Sequence, residues 1–201
     1  MQLPDIPHPA EALILSKVPP TTIERVRKVR LMAFDVDGVL TDGRLWFSEQ
    51  GEAMKSFHVL DGHGLKLLAE NGIQVALITA RQGPIVARRA AELGIDHLHQ
   101  GVRDKAAALN TLATSLGLTL AETGYMGDDI IDMPALQRAG FAATVPNAPP
   151  YMAQVAHWIS KTPGGSGAAR ECCDLILAAQ GKLAGLLSAS SRLSTLTGEI
   201  Q

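Results

Sequence analysis

Residues 34–43 read Phe-Asp-Val-Asp-Gly-Val-Leu-Thr-Asp-Gly, and two carboxylates, Asp35 and Asp37, stand where an apolar run ends. That run, residues 29–34 broken only by Arg30, has the composition of a buried strand. Two acids placed there repel each other unless a cation or a shared proton lies between them. Taken alone, Asp-Val-Asp-Gly is equally an acidic turn, because Asp and Gly are ordinary turn residues. Three other places change the balance. Thr79 closes a second apolar run, residues 73–78, and is followed by Ala80 and Arg81. Lys105 lies near the start of a helical pattern, behind Asp104. Gly127-Asp128-Asp129 follows Gly124-Tyr125-Met126, with Asp132 one helical turn beyond Asp128. Each has a plain structural explanation: Thr caps helices, a lone Lys is solvated, and Asp129 and Asp132 suit a helix N-terminus. All of these would have to coincide in order. Placed at strand ends and helix starts, the same groups would meet in one crevice, since open parallel sheets bind ligands outside the carboxyl ends of their strands.

The elements that must position these residues alternate. Helices are predicted over 63–71, ended by Asn71-Gly72, over 84–93, with Pro84 in its first turn and Gly94 after it, and over 103–116, ended by Gly117. Strands are predicted at 73–78, 96–99, 125–126 and 141–145, helices at 130–138 and 149–155, and a last short strand near Trp158-Ile159. Such alternation predicts an α/β, Rossmann-like parallel sheet with helices on both faces. One segment interrupts it: residues 42–60 read as a short β-hairpin insertion after strand one. Trp46 and Phe47 are consecutive and so face opposite sides of that ribbon. A lone hairpin cannot bury both faces against its own domain, which predicts a subunit contact. The expected organisation is an arm over 1–24, a domain over 25–183 with a Gly-rich tail at 163–171, and a C-terminal tail over 184–201.

Composition narrows the function classes. With 46% apolar residues and a net charge of −2, the chain fits neither disorder nor nucleic-acid binding. No stretch approaches the roughly 20 apolar residues of a membrane span, and no signal-peptide core is visible. The only cysteines, Cys172 and Cys173, are adjacent and lie in an apolar helical pattern, so they read as packing residues in a reducing cytoplasm.

The ordered set Asp35/Asp37, Thr79, Lys105 and Asp128 resembles the four motifs of the haloacid dehalogenase superfamily of phosphohydrolases, over about residues 31–132. The resemblance implies phosphoryl transfer with Mg²⁺. Asp35 is then the nucleophile, forming an aspartyl-phosphate; it is ionised at neutral pH and needs a cation to approach an anionic ester. Asp35 and Asp128 would supply side-chain oxygens to the metal, and Asp37 its main-chain carbonyl. The Asp37 carboxyl would protonate the leaving alcohol and later activate water. Thr79 would donate to a phosphoryl oxygen and Lys105 would neutralise charge. Asp129 and Asp132 fit a supporting role, holding Asp128 or a metal-bound water.

A wider likeness extends to about residues 25–183. Residues 57–64 (Phe-His-Val-Leu-Asp-Gly-His-Gly), 78–81 (Ile-Thr-Ala-Arg) and 164–171 (Gly-Gly-Ser-Gly-Ala-Ala-Arg-Glu) are similar to the minimal-cap sugar-acid phosphatases that act on 3-deoxy-D-manno-octulosonate 8-phosphate. This implies a role in lipopolysaccharide precursor synthesis and a homotetramer whose active sites are completed by a neighbour's hairpin. The Gly-rich tail is then a lid over the crevice, or else only a linker. His58, Val59, Leu60, Asp61 and Gly62 match the sugar-contact segment, and Asp37, Lys66, Arg81, Arg89 and Lys105 would bind the two anionic ends of the substrate. The chain departs from the pattern at Leu60 and Lys66, where Arg is usual, and at Ala80, where Gly is usual. Competing readings are a phosphatase for a nine-carbon sialic-acid-type or other sugar phosphate, and a signalling receiver domain. The receiver fits poorly, because its phosphorylated Asp ends a central strand and it has neither the late acid cluster nor the early hairpin.

Overall fold

Leu31–Phe34, the first strand (β1), is buried along its whole length, as the apolar run requires. The computed structural model describes residues 8–188. Before β1 come helices α1 (Pro9–Leu15) and α2 (Pro20–Arg27); after it come hairpin strands β2 (Trp46–Ser48) and β3 (Gly51–Met54). Then follow α3 (Val59–Glu70), β4 (Gln74–Ile78), α4 (Pro84–Leu93), β5 (His97–His99), α5 (Lys105–Ser115), β6 (Thr123–Met126), α6 (Met133–Arg138), β7 (Phe141–Thr144), β8 (Trp158–Ile159) and α7 (Ala168–Ala179). The main sheet has six parallel strands in the order β5-β4-β1-β6-β7-β8.

Alternation along β1 divides the core. Met32 and Phe34 point into a layer built with α2, α3, α4 and α7, whereas Leu31 and Ala33 point into a second layer with α5 and α6. The chain moves from β1 outward to β4 and β5 and then crosses back to β6 on the other side of β1, so β1 borders the switch point of the sheet. Phe34 is level with Leu77 on one side and Met126 on the other. The residues just beyond, Asp35, Thr79 and Asp128, therefore emerge side by side at the carboxyl edge.

The structure departs from the sequence expectation in three ways. Helix α3 begins at Val59, four residues before the predicted start, with His58 as its N-cap. Gly62 and Gly64 depress helix propensity there, yet packing demands them. A Cβ on Gly62 would collide with the Arg89 guanidinium, and one on Gly64 would press on Arg170 and Cys173. The predicted helices at 130–138 and 149–155 begin or consist entirely of 3₁₀ turns, Ile130–Asp132 and Pro150–Gln154. Third, the glycine-rich segment is neither lid nor free linker. The Gly165 N–H donates to the Val39 carbonyl at 2.9 Å, and a Cβ on Gly164 would overlap the Gly38 carbonyl. The segment is thus packed backbone to backbone against the loop after β1. Cys172 and Cys173 are fully buried free thiols, and burial pushes both of them up from their usual pKa. Residues 189–201, most of the expected C-terminal tail, lie outside the described residues.

Candidate active site

Asp35 leaves β1 with its N–H donating to the Met126 carbonyl at 2.9 Å, so the β1–β6 pairing continues one residue into the site. The loop then turns through Gly38, at φ +95°, and a Cβ there would collide with the Asp128 carboxylate. Thr41 Oγ1 ties the turn by accepting the N–H groups of Gly38 (3.3 Å) and Gly43 (3.2 Å). On the other side, Thr144 Oγ1 donates to the Gly127 carbonyl at 2.7 Å and fixes the start of the Asp128 loop.

Asp132 organises the floor. Its Oδ1 accepts from Lys105 Nζ and Tyr125 OH, both at 2.7 Å, and its Oδ2 accepts the N–H groups of Asp128 and Asp129, both at 3.1 Å. A carboxylate has about four lone-pair positions, and all are taken, so Asp132 orients its neighbours and has nothing left for a metal. Lys105 Nζ also lies 2.8 Å from Asp35 Oδ1, with its side chain 1% exposed. Burial alone would depress the lysine pKa, but the carboxylates of Asp35 and Asp132 outweigh that and raise it. Lys105 is a fixed ammonium. Asp129 is peripheral: its carboxylate accepts the Ile130 N–H at 2.7 Å and a long bond from Tyr151 OH at 3.4 Å.

Asp35 and Asp128 are both pushed up to about 7, first by burial and then by the charge of Asp132, with Lys105 acting against the rise. With all three carboxylates ionised, they face one ammonium and leave an excess of two negative charges, which is why burial and mutual repulsion favour protonation without a cation. The donors are all oxygen, Asp128 Oδ1 is buried without a hydrogen-bond partner, and ligand oxygens of Asp35, Asp128 and Asp132 lie within 4.8 Å of one another. Oxygens around one Mg²⁺ stand up to about 4.2 Å apart, so this spacing is close to what one ion would need. The residues fit a small, hard, doubly charged cation.

A cavity of about 250 Å³ opens over this floor, lined among others by Asp35, Asp37, Thr79, Arg81, Lys105 and Asp128. Thr79 is buried, and its Oγ1 accepts the Arg81 N–H at 3.3 Å, which leaves the hydroxyl hydrogen to donate into the cavity. Arg81 Nε stands 4.0 Å from Asp37 Oδ2, and neither atom has a hydrogen-bond partner.

The sugar-contact candidates gather elsewhere. His58, Val59, Leu60, Asp61 and Gly62 form the start of α3; Val59 and Leu60 are exposed and Lys66 is exposed one turn on. Asp61 is buried, and its carboxylate accepts the N–H of Arg170 (2.8 Å) and of Gly167 (3.3 Å), capping α7. Arg89 sits over the Phe57 ring at 5.6 Å and pairs with Glu92 at 3.0 Å. A second hollow, of about 380 Å³, lies beside Phe57, Val59, Arg88 and Arg89 and does not share the lining of the acid cavity within one chain.

Two residues absent from the sequence reading join the hollows. Lys55 lines the second hollow, yet its ammonium is ion-paired with Asp37 in the first and lies 2.9 Å from Glu52. Glu52 also receives Arg81 Nη2 at 3.4 Å. A Glu and a Lys three apart on a hairpin look like ordinary surface charges in sequence; only the fold places them against Asp37. Tyr125 was likewise read only as part of an apolar segment.

The family profile for haloacid dehalogenase-like hydrolases matches residues 95–171. The chain is similar to the 3-deoxy-D-manno-octulosonate 8-phosphate phosphatase of Yersinia pestis, 43% identical over 81% of this chain and 87% of that one. Among solved structures, a hypothetical protein from Xanthomonas campestris has a TM-score of 0.85 at 44% identity, covering 88% of this chain and 96% of that one. The 3-deoxy-D-manno-octulosonate 8-phosphate phosphatase of Moraxella catarrhalis, solved with magnesium ion, phosphate ion and a KDO molecule, has a TM-score of 0.82 at 41% identity, covering 84% and 97%.

Proposed function

The chain belongs to the 3-deoxy-D-manno-octulosonate 8-phosphate phosphatases, haloacid dehalogenase-like hydrolases, and from that membership we infer how its residues divide the work. It is a Mg²⁺-dependent phosphoric monoester hydrolase that releases the free sugar acid and phosphate, a step in lipopolysaccharide precursor synthesis. The observation that carries the residue assignment is the buried floor itself: Asp35, Asp128 and Asp132 within 4.8 Å of one another, with Lys105 Nζ 2.8 Å from Asp35.

Asp35, Asp128 and the Asp37 carbonyl would hold Mg²⁺, which would supply positive charge against the carboxylates and the phosphate. Asp35 attacks phosphorus and forms the aspartyl-phosphate. Asp37 gives a proton to the departing alkoxide, then takes one from the water that cleaves the acyl phosphate. Thr79 and Lys105 steady the phosphoryl oxygens through a hydrogen bond and a fixed charge. Arg81, at the cavity rim, suits the substrate's anionic groups, and Asp129 and Asp132 shape the Asp128 loop.

The start of α3 with Arg89 and Lys66 would serve the sugar acid, with Leu60, Lys66 and Ala80 setting selectivity. That cluster and the acid cavity come together if chains assemble as a homotetramer with the hairpin at the interface. Leu45, Trp46, Phe47 and Met54 supply exposed apolar surface there. The phosphatase domain is taken as 25–183 and the location as cytoplasmic. Among the described residues no helix is long and apolar enough to cross a membrane. The direct test is phosphate release from 3-deoxy-D-manno-octulosonate 8-phosphate beside nine-carbon sugar-acid phosphates and common sugar phosphates. Comparable turnover of all of them would overturn the substrate assignment.

A further inference from the structure

Lys55 is an unusual lysine. Its side chain is 1% exposed although it grows from a hairpin whose outer residues are in water. Taking an ammonium out of water costs several kcal/mol unless its partners are well placed. Here the partners are Glu52, at 2.9 Å, and Asp37 Oδ1. Pinning the hairpin would need no contact with Asp37, because Glu52 and Lys55 lie on the same arm. The contact does something else. It engages Oδ1 of the Asp37 carboxyl, a group that lines the acid cavity, and leaves Oδ2 buried without a hydrogen-bond partner. The opposing pull is Arg81, whose Nε is 4.0 Å from that oxygen and whose Nη2 is held back by Glu52 at 3.4 Å. Without Lys55, the nearest cation to Asp37 is Arg81, and the carboxyl would be free to swing toward it.

We propose that Lys55 is a positioning residue for proton transfer by Asp37: by holding Oδ1 it fixes the place of the carboxyl at the lining of the acid cavity, and Glu52 keeps both Lys55 and Arg81 in place. This rests on the phosphatase reading above and adds to it a role for the hairpin inside its own chain. The hairpin thereby orients the acid as well as presenting apolar surface to a neighbour.

The experiment compares two leaving groups in single-turnover release. The sugar alkoxide of 3-deoxy-D-manno-octulosonate 8-phosphate needs a proton as it departs, whereas p-nitrophenolate does not. General acid catalysis is worth about 10²–10⁴-fold. Lys55→Met is expected to slow sugar release by roughly 30-fold or more while p-nitrophenolate release falls by less than about threefold. KM for the sugar phosphate should stay within about threefold, because the lysine is not asked to bind substrate. Lys55→Arg should recover part of the sugar-release rate, and Glu52→Gln should show the same selectivity in weaker form even if Lys55→Met folds poorly. Equal losses on both substrates, or no loss on either, would overturn the proposal. If the unaltered enzyme hydrolyses p-nitrophenyl phosphate but not the sugar-acid phosphate, the substrate reading fails first and takes this inference with it.

Discussion

Lys105 Nζ and Asp132 Oδ1 are 2.7 Å apart in a site where neither side chain is more than 1% exposed. The pair joins the first residue of α5 to the turn before α6, and it anchors the ammonium that also reaches Asp35. Removing one partner of a buried pair is far costlier than the pair's net worth, because the other charge is left uncompensated. Asp132→Ala would also strip acceptors from Tyr125 OH and two amides. It should lose about 3–5 kcal/mol of stability in urea unfolding. A loss below about 1 kcal/mol would show that the floor is held by other means.

Asp35→Asn should lower phosphate release on the order of 10⁴-fold and leave the fold intact. Its melting temperature should stay equal or rise in the absence of metal, since the substitution removes a buried carboxylate from a cluster with excess negative charge. Retained turnover would remove Asp35 as nucleophile.

Metal binding and pH are linked through the same carboxyls. Asp35 and Asp128 are raised from 3.8 to about 7. Between those values the folded, metal-free protein keeps protons that the unfolded chain has released. The contribution of these groups to stability is therefore full below about pH 4 and lost as pH rises through 7. Mg²⁺ binds the ionised pair, so the rise in melting temperature on adding Mg²⁺ should be larger near pH 8 than near pH 5.5. EDTA should abolish turnover and Mg²⁺ restore it. An equal gain in melting temperature at both pH values would contradict the assignment of these carboxyls to the ion.

The hairpin makes a prediction about assembly. Trp46 and Phe47 are 50% and 63% exposed in the single chain. Phe47 also lies 5.8 Å from the Arg81 guanidinium carbon, so the same ribbon touches the acid cavity. Trp46→Ala or Phe47→Ala should shift sedimentation toward smaller species and reduce activity together. Unchanged sedimentation would defeat the interface assignment.

What the sequence revealed, it revealed through local contrast. Asp35, Thr79 and Asp128 each follow a short apolar run, and equal strand levels then guarantee that they meet, so periodicity was enough. Position-specific glycines were legible only in part. Gly94 and Gly117 marked helix ends, but Gly62 and Gly64 hid the first turn of α3, since the reason for them is the approach of Arg89 and Arg170 from distant elements. Asp61 was read as a sugar contact from its segment alone; that its carboxylate also caps a helix more than a hundred residues away is visible only in the fold. Lys55 and Glu52 were invisible for the same reason: nothing in a hairpin's own sequence says which acid it will touch.

Gly165 supplies a further test of the frame. It has φ +68°, and a Cβ would drive into the backbone of Thr41 and Asp42. Gly165→Ala should cost about 1–3 kcal/mol from backbone conformation alone, with additional loss of activity as the loop behind Asp37 is displaced. A variant with normal melting and normal turnover would show that the loop tolerates being pushed.

The contact between Gly164 and Gly38 sets a minimum length for a working chain. Every group that reacts lies before residue 133, yet the brace behind the reacting loop is contributed some 30 residues later, after β8. A nonsense codon just upstream of Pro163 would spare every reacting group and still remove both the backing of the Asp37 turn and α7, whose buried face completes one core layer.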